Sequence, residues 1–236
     1  MATKKINWKL TIIGLAFSAL FAALGFWQLS RAHQKEKLMS SFNEHISNKP
    51  IQVSDLEQPN DWRFYKVELK GTFDNNHTFL LDNKTYQGKV GYEIYTPFRV
   101  KKFNSEILID RGFVPITTSR DELPTIRPIK GNIKLIGMIN LPPNFRAMGP
   151  INDNNKTTWP LRVEYINLAE LGKFAGSTFY PYVVMLEPKS PYAYEIEWHI
   201  FVMGPERHRG YAVQWFALAL TLLILSVVLN RRDWRK

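Results

Sequence analysis

The 236-residue chain has no cysteine. That excludes a disulfide framework, a thiolate metal site and a cysteine nucleophile, and it leaves redox chemistry silent about the compartment. Its five histidines, His33, His45, His77, His199 and His208, show none of the short spacings of a zinc site. No G-x-S-x-G, phosphate-binding loop or dinucleotide fingerprint occurs. A dispersed triad would leave no such trace, but nothing local in the sequence supports catalysis, and the expectation is a protein that is not an enzyme. Internal repeats and low-complexity stretches are also missing. The net charge of +10 divides into +3 before residue 10, +3 after residue 229 and +4 between them, so no strongly basic domain is left to argue for nucleic acid.

Long apolar runs are what the chain does have. Residues 10–29 carry no charge, nor do residues 211–229, and each run is long enough to cross about 30 Å of hydrocarbon as a helix. A buried core helix has the same composition, but the aromatic and basic flanks at both chain ends favour two membrane spans. The first run is too long for a signal peptide, and "FAALGFWQL" ends in bulky residues instead of a small-x-small cleavage site. Lys4, Lys5 and Lys9 precede it, while Arg231, Arg232, Arg235 and Lys236 follow the second run, so the bias of basic residues places both termini in the cytoplasm. Arg31, Lys35, Arg207 and Arg209 oppose this weakly, because a long domain is translocated largely regardless of its charge. Trp8 and Trp234 mark one interface with lipid, and Trp27, Tyr211 and Trp215 the other.

The expected organisation is a cytoplasmic N-terminus (1–9), a transmembrane helix (10–29), an extracytoplasmic β-rich domain (30–210), a second transmembrane helix (211–229) and a cytoplasmic C-terminus (230–236). The start lacks an Arg- and Ser-rich transit segment, which points to a bacterial inner membrane, with two spans and a periplasmic domain.

The 181 residues between the runs suffice for one domain with its own core. Residues 31–47 continue the first helix, with Leu38, Phe42 and Ile46 on a face expected to lie on the domain. In "RFYKVELKGTF" Tyr65, Val67 and Leu69 alternate with Lys66, Glu68 and Lys70, the period of a half-buried strand. "HTFLLD", "VGYEIYTPFRV", "SEILIDRGFVP", "GNIKLIGMI", "YPYVVML" and "EIEWHIFVM" are further strand candidates, and short links such as "NKTYQGK" imply antiparallel pairing. "INLAELGKFAG" reads as a helix with Asn167 as its cap and Gly176 as its stop. The fold class is therefore a membrane-anchored α+β protein: two terminal transmembrane helices flanking a mainly antiparallel β domain.

Three sets of residues invite a functional reading. Asp110 and Arg111 end an apolar strand in "LIDRGFVP", either as a structural ion pair or turn contact or as a partner-binding surface. His199, Met203 and His208 are a His/Met set of the kind that holds copper, although an edge-strand histidine and a core methionine explain two of them. The stretch "GPERHRGYAVQWFALAL" places His208, Tyr211 and Trp215 on one helical face with Gln214 close by, and the first span ends with Trp27, Gln28 and Arg31 at the same depth. An aromatic belt, snorkelling arginines and a Gln–Gln hydrogen bond explain much of this, but leave an imidazole at the boundary without an anchoring role. A haem accounts for all of it: an imidazole for the iron, Arg31, Arg207 or Arg209 for the propionates, and aromatic rings for the porphyrin.

Five segments carry a wider resemblance: "LGFWQLSRAHQK" (24–35), "YKVELKGTF" (65–73), "GYEIYTPF" (91–98), "ILIDRGFVP" (107–115) and "ERHRGYAVQWFALA" (206–219). In this order they resemble the Surfeit-locus family of cytochrome c oxidase assembly proteins. The family's usual "RGW" stands here as Arg111, Gly112 and Phe113. The resemblance implies a non-enzymatic assembly factor that helps insert haem a into the oxidase catalytic subunit and works beside haem a synthesis or assembly proteins. It also implies His208 as the position that binds the haem iron. A membrane scaffold that holds oxidase subunits or assembly factors without touching haem is the alternative.

Overall fold

A computed structural model describes residues 8–116, 122–143, 149–152, 158–198 and 203–231. The chain divides into a helical unit, residues 1–41 with 199–236, and a β-rich unit, residues 42–198.

The helical unit is a hairpin of α1 (Trp8–Ser47), whose last turns enter the β-rich unit, and α3 (Pro205–Arg231). Both helices contain a stretch long and apolar enough to cross a membrane, and only 11% and 17% of those stretches are buried, where the core helix of a soluble protein would be mostly buried. The helices run antiparallel and very close. A Cβ on Gly14 would stand 2.0 Å from Ser226 Oγ, and one on Gly25 2.6 Å from the Phe216 ring. Small residues at such contacts let two helices approach in an apolar medium, where packing and not hydrophobicity drives association.

The β-rich unit holds β1 (Ile51–Gln52), a 3₁₀ turn (Val53–Glu57), β2 (Lys66–Phe73), β3 (Phe79–Tyr86), β4 (Lys89–Val100), β5 (Glu106–Pro115), β6 (Ile133–Asn140), β7 (Leu161–Val163), α2 (Leu168–Ala175) and β8 (Phe179–Leu186). Hydrogen bonding orders the strands β1-β2-β6-β8-β5-β4-β3-β7, and β2 also pairs with β4, so that β2, β6, β8, β5 and β4 close into a barrel. The twelve residues of β4 make this possible. Its first half pairs with β3, while residues 98–100 pair with residues 71–73 of β2. A Cβ on Gly71 would lie 2.0 Å from the Arg99 carbonyl oxygen, so the closing contact requires glycine.

Val67 and Leu69 of β2, Phe98 of β4, Ile109 of β5, Ile139 of β6 and Leu186 of β8 belong to one buried cluster, the barrel's core. A second core joins Phe79, Tyr95 and Leu108 to Leu161 and Val163 of β7 and Leu171 of α2. The Asn167 side chain accepts from the Ala169 and Glu170 amides, and Gly176 ends α2 in the left-handed conformation, as their positions in the sequence predict. Within the β-rich unit, Phe42 of α1 packs edge-on against Phe64 at 5.8 Å, and His45 stacks on Tyr65 at 3.8 Å.

The sheet is mainly antiparallel, as the short links imply, and residues 83–89 join the antiparallel pair β3–β4; three pairings, β1–β2, β3–β7 and β5–β8, are parallel. The long return from β5 to β8, carrying β6, β7 and α2, supplies the crossover that parallel pairing needs. Of the stretch "EIEWHIFVM", Glu195 makes one isolated bridge with Phe113, residues up to 198 form no strand, and His199 to Val202 lie outside the described residues.

Candidate functional site in the helix hairpin

His208 lies in the first turns of α3, where its ring is half-buried, one turn before the buried Ala212. Its Nδ1 is 2.7 Å from Oε1 of Gln28 in α1. A carbonyl oxygen only accepts, so Nδ1 carries the proton and donates it, and the ring's lone pair is left on Nε2. Around this pair Phe21 packs on Trp215 at 5.4 Å and Phe26 on Phe216 at 5.2 Å.

At about 100° per residue, Tyr211 and Arg207 lie on one flank of α3, and Trp27 and Arg31 on one flank of α1. Tyr211 is 44% exposed and Trp27 51%. The Arg31 guanidinium lies 5.7 Å from the centre of the Trp27 ring and donates to Gln34 Oε1 at 3.0 Å. Arg209, two residues after Arg207 and on the opposite flank, is ion-paired with Glu36, which also has His33 at 3.7 Å. Arg207 has no ion pair among the described residues.

The sequence-predicted set is therefore divided. His208, Trp215, Tyr211, Trp27, Arg31 and Arg207 fall on or beside the hairpin seam, whereas Arg209 is engaged by a carboxylate. Gln214, expected beside the haem, is exposed about 120° around the helix from His208. Gln28 bonds the histidine, and the Gln–Gln bond offered as the structural alternative is not formed among the described residues. Glu36 is the other residue the sequence reading missed, its partner lying 173 positions away on the second span. No group of three or more His, Asp or Glu able to hold a metal exists among the described residues, so this site offers iron one imidazole. His199 of the His/Met set lies outside the described residues.

For Asp110 and Arg111 the structural reading holds as a turn contact, and the ion pair and the partner surface do not. Asp110 is 1% exposed and Arg111 0%, so neither presents a side chain to a partner. Nor do they pair with each other, because consecutive strand residues point to opposite faces. Arg111 shares the face of Ile107 and Ile109 in the barrel core, where its guanidinium lies 5.6 Å from the Phe73 ring and 5.0 Å from that of Tyr194. It donates to the carbonyls of Tyr192 and Arg127, at 3.3 and 3.0 Å. Asp110 accepts from the Gly112 amide at 2.9 Å on the other face. Burial first, and then the neighbouring Glu93 carboxylate, hold the Asp110 carboxyl well above its ordinary range. A cleft of about 640 Å³ beside α2, lined by Leu168, Lys173, Ser177, Phe179 and Pro181 among others, has no acid or histidine among the described residues that line it.

The model of the SURF1 family matches residues 15–220, which take in most of α1, the whole β-rich unit and the first part of α3. The chain belongs to the SURF1 family. A SURF1-like protein of Rickettsia conorii is 25% identical over 231 residues, covering 94% of this chain and 90% of that protein. A SURF1-like protein of Monosiga brevicollis is 22% identical over 89% of this chain and 83% of its own length. Surfeit locus protein 1 of Xenopus tropicalis is 24% identical over 73% of this chain, which spans 59% of that longer protein. The SURF1 match thus includes Gln28, Asp110, Arg111 and His208 alike.

Proposed function

We propose that this SURF1-family chain is an assembly factor for cytochrome c oxidase that receives haem a at the hairpin and aids its insertion into the catalytic subunit. The observation that carries the reading is the His208–Gln28 pair: an imidazole with Nδ1 tied and Nε2 free, at the boundary of two apolar helices. Nε2 of His208 would take the iron, Tyr211, Trp27 and Trp215 would flank the ring, and Arg31 and Arg207 would meet the propionates. Haem a is cargo here, delivered as the redox group of another protein. Its apolar tail would be insoluble in water, so a carrier gains by keeping the iron at the interface and the tail among the helices.

In this reading the protein sits in a bacterial inner membrane with two spans, both termini in the cytoplasm and the β-rich unit in the periplasm, and works beside haem a synthesis or assembly proteins. The test is purification in mild detergent from cells that make haem a, comparing wild type with His208→Ala and His208→Leu by Soret absorbance and haemochrome assay. Loss of haem from equally abundant variants is expected. Equal haem with unchanged spectra would remove His208 as the ligand. A scaffold without haem is the second reading, in which apolar side chains that would otherwise face lipid, such as Phe26 (66% exposed) and Val213 (68%), meet another membrane protein's helices. Oxidase subunits copurifying with a haem-free protein would select it.

A further inference from the structure

Resting on the reading of His208 as the iron's ligand, we infer that Gln28 is a positioning residue, whose carbonyl sets the tautomer and orientation of that imidazole. A neutral imidazole has one donor and one acceptor nitrogen, and in water the proton is free to occupy either. Here Gln28 Oε1 takes the Nδ1 proton at 2.7 Å, which fixes the lone pair on Nε2. Nε2 itself has no hydrogen-bond partner among the described residues.

The backbone makes this bond short. Gln28 stands one turn after Gly25, which lies against the Phe216 ring, and one turn before the buried Ala32; His208 stands one turn before the buried Ala212. Small residues on both sides bring the helices together, and the two methylenes of glutamine then span the remaining gap. In a part-buried seam a donor left without its acceptor is costly, so the amide holds the ring more firmly than the same contact would in solvent. Partners of this kind orient a metal-binding histidine and raise its basicity, and removing them typically weakens binding about 10- to 100-fold.

A merely structural Gln28 would hold the hairpin together without selecting a tautomer, and that difference is measurable. Full-length protein labelled with ¹⁵N-histidine, free of haem, in detergent and above the titration range of imidazole, reports which ring nitrogen carries the proton. His208→Leu assigns the resonances. In wild type, Nε2 should show the signature of an unprotonated nitrogen. Gln28→Met, equal in length but without an acceptor, should shift it toward the protonated form, and Gln28→Glu should restore it. With haem a bound, Gln28→Met should lose affinity about 10- to 100-fold and raise the reduction potential, while Gln28→Glu should keep the affinity and lower the potential. An unchanged tautomer in Gln28→Met, or a failure of Gln28→Glu to restore it, overturns the inference even if His208→Leu abolishes haem binding. If His208→Leu binds haem as wild type does, the ligand reading fails, whatever the tautomer of the haem-free protein.

Discussion

Neighbours on a strand point to opposite faces, and Asp110 and Arg111 show what that does to two charges. In the sequence they look like a pair; in the fold each is buried in its own surroundings. Arg111 keeps its charge against two aromatic faces and two carbonyls, with Nη1 unpartnered among the described residues. Burial and the Glu93 carboxylate raise the Asp110 pKa, and this has a sign. Its folded pKa lies above the unfolded value, so the folded state binds the proton more tightly, and the stabilisation present at acid pH is lost as pH rises from the ordinary carboxylate range through the folded pKa. Asp110→Asn keeps an acceptor for the Gly112 amide and removes the titration. Thermal unfolding of the two proteins from pH 4 to pH 8 should show the variant gaining on wild type toward neutrality, by at most about 1.4 kcal/mol per pH unit. A constant difference across that range would mean that Asp110 is ionised in the fold.

Elements differ in how legible they were. The period of two in residues 65–69 and the capping pair Asn167 and Gly176 announced β2 and α2, because each signal sits inside the element it describes. β1 and β7, two and three residues long, are too short to show a period, and they exist because β2 and β3 offer them an edge. Barrel closure was illegible for a further reason: it depends on which strand β4 meets with its second half. Gly71 is where that choice is enforced. Gly71→Ala puts a Cβ against backbone and not a flexible side chain, so β2 and β4 must part; a loss of about 1–3 kcal/mol is expected in thermal or denaturant unfolding. Gly149→Ala, where a Cβ would meet nothing within 4 Å, should lie within about 0.5 kcal/mol of wild type. Equal stability of all three proteins would show that the closing contact tolerates a wider gap. The hairpin site was half legible: His208 stood out by its chemistry, whereas Gln28 as its partner depends on the rotation of a helix 180 residues away.

For the whole molecule, the expected topology follows from the basic residues at both chain ends and has a direct check. Reporter fusions before Lys9 and after Asn230 should report cytoplasm, and a fusion at Lys101, in the exposed turn between β4 and β5, should report the opposite side. A cytoplasmic signal at Lys101 would reverse the orientation and remove the β-rich unit from the periplasm.

The separation of 180 residues between Gln28 and His208 also has a meaning in time. A ribosome adding about 5–20 residues per second needs roughly 10 to 40 s to travel from one to the other. During that interval the first span exists without the imidazole, and the barrel sequence, whose closing strands lie between residues 66 and 186, has to be made before the second helix begins. The pair therefore forms only after the whole barrel sequence has been made. On the haem-carrier reading, a nascent protein that has made only the first helix and the barrel has an anchor but no imidazole for the iron, so cargo can be held only once the second helix has been added.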